Sequence, residues 1–387
     1  MHSTDLDALT TASKEQMPLP FVLMRGGTSK AVFLRADALP ADREPRDKLI
    51  LSLFGSPDPR QIDGLGGADL LTSKLAIIDA PSRSDADLDY TFAQVSITEP
   101  VVDYDINCGN ISAAVGAYAI DEGLVPAVEP FTTVRIHNTN TGRVLLAKVP
   151  VVDGAAGVEG TLAMHGVPGT GAPIALDFAQ TAGGITGSLL PTGSEIDVLM
   201  TDIGPIEATI IDLANLTVFF RAEAIGMTGT EGPAGFSDEH LGFVSAVKDA
   251  AARLLGMPID GLTPVPAIVA PPAPYVSFAT GHDVTSDDVD LVARVVGGRP
   301  AVLHKAYPGT LGACTGVAAR MKGTTVHAVT RRDRRVLDQI NIGHTSGVMP
   351  VSASVSRKGG SWVVEEATYL RTARRLAEGT AYVHSRA

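Results

Sequence analysis

Two apolar runs, residues 21–25 and 30–34, flank the stretch Gly26-Gly27-Thr28-Ser29, a pattern that predicts a hairpin, with folded structure beginning near Met17. Residues 47–54 have helical apolar spacing and stop at Gly55-Ser56-Pro57. The loop Gly64-Leu65-Gly66-Gly67 leads to a short buried-strand pattern at 75–78, and 90–97 alternates as a further strand. Residues 110–120 are small, apolar and helix-compatible, and they start directly after Asn107-Cys108-Gly109, which places Cys108 at a helix N-terminus. Clusters of β-branched residues predict strands at 132–137, 143–151, 196–201, 206–212 and 216–222. Loops rich in Gly, Pro and Thr occupy 166–173 and 181–194, and the domain boundary is placed near the second. A helical stretch at 285–296 precedes another glycine-to-helix segment, Gly309-Thr310-Leu311-Gly312-Ala313-Cys314. Two loops that each feed a small-residue helix suggest an internal pseudo-symmetry.

Composition narrows the picture. A chain of 387 residues is long for one core and suggests two domains. Apolar residues make up 45% and charged residues 19%, which places it among globular chains. With 40 glycines, 25 prolines and few aromatics, many short strands and tight turns are expected. The formal charge of -12 argues against a nucleic-acid partner, which needs a basic face. It leaves a small anionic substrate open, because a few cations and helix N-termini in a cleft can outweigh a negative exterior. Residues 1–16 carry Asp and Glu without a long apolar core, so no targeting peptide is read there and a cytoplasmic location is expected. No apolar run is long enough to predict a membrane span. Two cysteines, Cys108 and Cys314, do not make a disulfide scaffold.

Familiar cofactor motifs are absent. Gly26-Gly27-Thr28-Ser29-Lys30 lacks the order of a phosphate loop, and Gly64-Leu65-Gly66-Gly67 is followed by Ala68-Asp69 where a dinucleotide fingerprint needs its third glycine. The nine histidines are scattered, so no metal site is expected, and there is no Gly-x-Ser-x-Gly elbow. What remains is Asn107-Cys108-Gly109-Asn110. A thiol at a helix N-terminus feels partial positive charge, which favours thiolate, and the free N–H groups beside it can hold a carboxylate.

Met24 to Lys30, Gly55 to Gly64, Gly66-Gly67-Ala68-Asp69, Leu71 to Ile78, Asn107 to Asn110 and Ile342 to Gly347 together resemble the PrpF family, from about Met17 almost to the C-terminus. That family includes 2-methylaconitate cis-trans isomerase, 3-methylitaconate delta-isomerase and 4-oxalomesaconate tautomerase. The resemblance implies an α/β (α+β) diaminopimelate-epimerase-like fold of two pseudo-symmetric domains, each a curved sheet around a central helix. Residues 1–16 then form a disordered extension. Residues 17–190, completed by 370–387, form the first domain, and 191–369 the second.

The resemblance also implies a cofactor-independent isomerase in which Lys74 and Cys108 are the acid/base pair, moving a double bond in a small unsaturated di- or tricarboxylate. Carboxylate contacts are expected from Arg25, Thr28, Ser29, Lys30, Ser73, Gly109, Asn110, His344, Thr345 and Ser346. Ala31 replaces the glycine expected after the lysine, and Thr345 stands where proline is more usual. Other readings stay open: a 4-oxalomesaconate tautomerase of aromatic-acid catabolism, a two-cysteine amino-acid epimerase or racemase using Cys108 and Cys314, or an anion-binding protein without catalysis. Neither membrane nor nucleic acid is expected as a partner, and a homodimer is left open.

Overall fold

The computed structural model describes residues 15–384 apart from 105–106, 165, 260, 262, 298–300, 332 and 334–338. Most of the expected N-terminal extension therefore lies outside the described residues. Strands β1 (Gln16–Gly26) and β2 (Ser29–Arg35) form the hairpin, closed by Gly27-Thr28. Gly27 has φ +51°, a left-handed conformation that glycine adopts without penalty. Then come α1 (Arg43–Phe54), β3 (Lys74–Asp79), β4 (Leu88–Val95), α2 (Gly109–Asp121), β5 (Phe131–Asn138), β6 (Arg143–Val152) and β7 (Ile174–Asp177). The second half runs β8 (Asp197–Thr201), β9 (Gly204–Leu213), β10 (Asn215–Arg221), α3 (Asp238–Leu254), β11 (Val265–Ala270), β12 (Leu291–Gly297), α4 (Gly309–Arg320), β13 (Gln339–His344), β14 (Gly347–Lys358), β15 (Ser361–Arg371) and β16 (Ala373–His384).

The pairing repeats. β1–β2 is antiparallel, β2–β3 parallel, β3–β4 antiparallel, β4–β5 parallel, and β5–β6 and β6–β7 antiparallel. From β9 to β15 the same series recurs strand for strand. In each repeat a helix follows the second strand, α1 or α3, and another follows the fourth, α2 or α4. β8 covers the outer edge of β9, while the matching edge of β1 is covered by β16 from the far end of the chain. The equivalent strands β7 and β15 pair antiparallel, Ile174 opposite Arg371, and join the two sheets.

Each sheet curls around its second helix, which explains the composition of that helix. α2 is buried from Ile111 through Ile120, and an added Cβ at Gly116 would lie 2.8 Å from Ala147 Cβ. α4 packs as closely, with Gly312 against Met349 and Gly316 against Val351. A helix enclosed on all sides must be apolar all round, and small residues admit the strands. The outer helices are amphipathic. α1 buries Leu49, Ile50, Leu53 and Phe54, side chains worth about 1.5–3 kcal/mol each when fully buried.

The helix expected at 285–296 is instead a turn followed by β12, which lies between β11 and β13. Its side chains are also buried on both faces, Leu291, Ala293 and Val295 in the cluster that holds α4 and Val292 and Val296 in the cluster that holds α3, so its apolar run has no period of two and reads equally as helix. The loop expected at 166–173 contains a short ribbon, Val167–Gly171 against Leu162–Met164. No helix among the described residues is long and apolar enough to cross a membrane.

Candidate active site

The N-termini of the two enclosed helices meet at one side chain. An added Cβ on Gly109, the first residue of α2, would lie 2.0 Å from Tyr369 Oη, and one on Gly309, the first residue of α4, would lie 2.4 Å from the Tyr369 ring. Only glycine at both helix starts lets Tyr369 wedge between them. Both positive helix ends therefore face the same region, which favours an anion there. Cys108 is the N-cap of α2. Its carbonyl accepts from the Ser112 amide and hydroxyl, at 3.1 and 3.2 Å. Its half-buried thiol makes no capping hydrogen bond.

Lys74 reaches the same side through strand alternation. Ala76 and Ile78 pack in the core around α2, whereas Leu75 and Ile77 pack against α1, so Lys74 faces α2 and Ser73 faces away. The Lys74 Nζ donates to Gln94 Oε1 at 2.6 Å and stands 5.2 Å from the centre of the Phe92 ring. Only 7% of Lys74 is exposed, and among the described residues no carboxylate pairs with it. Gln94 Nε2 donates to the Ser73 carbonyl at 2.8 Å, which fixes the amide with its oxygen toward the ammonium. From the second half, His304 comes within range of the Lys74 charge. Burial, helped by that charge, lowers the His304 pKa, so this imidazole is held neutral.

Several expected contacts are distributed differently. Ser73 is fully buried, donating to the Val95 carbonyl at 2.9 Å and accepting from Gln61 at 2.8 Å. Ser73, the residue before β3, thus spends its hydroxyl on protein partners on the side away from Lys74. Arg25 Nη1 donates to the Gly27 carbonyl and to both the carbonyl and the hydroxyl of Thr372, so it clamps the hairpin turn. Lys30 sits opposite Arg25, its N–H bonded to the Leu71 carbonyl. Thr28, Ser29 and Asn110 are brought together, with Asn110 Nδ2 at 3.0 Å from Thr28 Oγ1. On the other side, His344, Thr345 and Ser346 form the β13–β14 corner. Thr345 Oγ1 donates to the His304 carbonyl at 3.2 Å and Ser346 Oγ to the Lys305 carbonyl, so the corner braces the His304 segment.

Cys314 does not mirror Cys108. The N-cap of α4 is Pro308, and Cys314 lies more than a turn inside the helix, fully buried, its thiol pushed up to about 12 by burial. At the helix start where the repeat would place a counterpart of Cys108 there is a proline instead of a thiol.

Sequence reasoning missed Gln94, His304, Tyr369 and Arg371. Arg371 Nε donates to Asn110 Oδ1 at 2.8 Å across 261 residues of chain, and no local pattern signals such a contact.

The profile of the PrpF protein family matches residues 16–384. The chain belongs to the PrpF family. A 3-methylitaconate isomerase of Eubacterium barkeri is 52% identical over 379 residues, covering 95% of this chain and 98% of that one. The crystal structure of a methylitaconate-delta-isomerase superposes with a TM-score of 0.84 at 51% identity, covering 96% of this chain and 97% of the other. A hydroxyproline epimerase from Agrobacterium vitis superposes at a TM-score of 0.55 with 12% identity, covering 96% and 94% of the two chains. That last likeness shows the fold alone, and this chain has the diaminopimelate-epimerase-like architecture expected from the resemblance.

Proposed function

We propose that this PrpF-family isomerase moves a proton across an unsaturated di- or tricarboxylic acid of the methylitaconate or methylaconitate kind, with Lys74 and Cys108 as its acid/base pair. The observations that carry the reading are a buried ammonium on the face of β3 turned toward α2, which no carboxylate neutralises among the described residues, and a thiol that makes no capping hydrogen bond at the N-terminus of α2. The relatives support the substrate class, since a 52% identical one is named for 3-methylitaconate.

The chemistry follows from those groups. One of the pair takes a proton from the carbon made acidic by the carboxylate system, the double bond shifts, and the other returns a proton to the far carbon. No electron leaves the substrate, so no redox partner is needed. Negative charge grows on the dienolate in between, and the N-termini of α2 and α4 are already aimed at it, so no reorganisation is required at that moment.

Methylitaconate, methylaconitate, aconitate and oxalomesaconate, each followed by proton NMR in deuterated water, test the assignment. One of them rearranges with solvent deuterium at the newly protonated carbon. Lys74→Met and Cys108→Ser each lower turnover by at least about a hundredfold, the scale of a lost proton-transfer group, while Cys314→Ser keeps most activity. A well-folded enzyme that loses turnover equally on Cys314→Ser refutes the pair.

A further inference from the structure

Arg371 is 6% exposed, and no carboxylate pairs with it among the described residues. Its Nε donates to Asn110 Oδ1 at 2.8 Å, its Nη1 to the Leu370 carbonyl at 2.9 Å, and its Nη2 reaches only the Met349 sulfur at 3.9 Å. The ring of Tyr369 lies 4.5 Å beneath it. The ionisable groups that favour its charge are Tyr369 and the Cys108 thiol rather than a carboxylate, and a guanidinium so buried is costly to maintain, so its placement calls for a reason beyond packing.

That reason lies in what a guanidinium cannot do. It has no acceptor, so Asn110 must turn its oxygen toward Arg371 and its amine away. The amine then donates to Thr28 Oγ1 at 3.0 Å and reaches Ser29 Oγ at 3.4 Å. Both hydroxyls are thereby cast as acceptors toward Asn110, and their own protons point elsewhere. Among the described residues neither donates to any protein group. The turn that carries them is rigid, pinned by Arg25 on the Gly27 carbonyl and by the Gly27 N–H on Thr372. An added Cβ at Gly27 would lie 2.4 Å from Asn110 Oδ1 and 3.0 Å from Arg371 Cδ, so the relay is closely packed.

We infer that Arg371 is a positioning residue that sets the hydrogen-bond polarity of Asn110, so that the hydroxyls of Thr28 and Ser29 present their protons to one carboxylate group of the substrate. The resemblance to relatives pointed to Thr28, Ser29 and Asn110, whereas the control exerted by Arg371 comes from the geometry. The inference rests on the carboxylate substrate proposed above and deepens it.

The test is calorimetric binding of methylsuccinate, a saturated dicarboxylate that cannot isomerise, beside steady-state kinetics on the unsaturated panel. Arg371→Gln can show Asn110 either a donor or an acceptor, so the polarity is lost while the size is roughly kept. Its affinity for methylsuccinate falls about ten- to a hundredfold, as for loss of a hydrogen bond to a charged group, and KM rises in proportion with kcat changed less than about threefold. Arg371→Lys, again donor-only, restores most of the affinity. Thr28→Val weakens binding in the native background and adds little in Arg371→Gln. Additive losses, or no rescue by lysine, overturn the relay. Should Arg371→Gln fail to fold, unchanged affinity in Thr28→Val or a full loss in folded Arg371→Lys overturns it alone. A wild-type enzyme that binds methylsuccinate and isomerises nothing refutes the proposed reaction and leaves the receptor standing. Normal isomerisation with unchanged binding in the variants does the reverse.

Discussion

Gly109→Ala is expected to destabilise the protein by about 2 kcal/mol, and Tyr369→Phe is expected to return most of that loss. The new methyl would lie 2.0 Å from Tyr369 Oη and 3.1 Å from Thr310 Cγ2. Tyr369 cannot swing aside. It is 1% exposed, stacked on Phe178 at 5.5 Å between centroids and covered by Arg371. Overpacking of this kind typically costs about 1–3 kcal/mol, against at most about 1 kcal/mol gained from replacing a helical glycine. Among the described residues the Tyr369 hydroxyl has no hydrogen-bond partner, so removing it abandons nothing there and relieves a buried unsatisfied group. Tyr369→Phe alone is therefore neutral or stabilising, and the double variant exceeds Gly109→Ala by at least about 1 kcal/mol. Gly309→Ala is the contrast. Its methyl would strike the ring carbons at 2.4 Å as well as the oxygen at 2.6 Å, so phenylalanine rescues it poorly. Gly242→Ala in α3 meets nothing within 4 Å and gains about 0.5–1 kcal/mol. Urea unfolding followed by the single tryptophan, Trp362, reports directly on the strand that carries Tyr369. Equal stability of Gly109→Ala and wild type, or equal rescue of Gly109→Ala and Gly309→Ala, refutes the wedge.

The two thiols separate under iodoacetamide at pH 8. Cys108 is half-buried at the N-terminus of α2 and is alkylated, whereas Cys314, with its thiol pushed up to about 12, stays unmodified until the protein unfolds; intact-mass analysis showing rapid double labelling of native protein contradicts this. His304 has its pKa lowered from 6.5 by burial, so as pH falls below about 6.5 the unfolded chain takes up a proton that the folded one refuses. Stability therefore declines from pH 6.5 down to the lower folded-state pKa and is flat below it, as far as this residue contributes. His304→Gln flattens that part of the curve in urea titrations, and an unchanged slope tells against the buried neutral imidazole.

Local order was legible wherever a local rule generates it. The glycine turn at Gly27, the helix starting beside Cys108 and the second beginning at Gly309 follow from turn chemistry and small-residue runs, and all three are present. The motif Asn107 to Asn110 was one of six short segments that together pointed to the family, each legible because within it neighbours in sequence are neighbours in space. β12 was misread for the opposite reason. Its apolar run records burial on both faces, in the cluster that holds α4 on one side and in the cluster that holds α3 on the other, and a run without period does not distinguish strand from helix.

The site itself belongs to the tertiary structure. Ser73 and Lys74 are adjacent in sequence, yet one faces α1 and the other α2, because β3 alternates about a sheet whose two faces were not known in advance. β16 crosses from the end of the chain to seal β1, and β15 brings Tyr369 between two helix starts. The same strand lays Arg371 against Asn110 and leaves Arg25, the arginine next to the glycine turn, to hold backbone. Residue types and spacing determine which elements can form and which chemistry is available. Which donor meets which acceptor is decided by sheet register and by the pairing of β7 with β15, and those depend on packing summed over the whole chain.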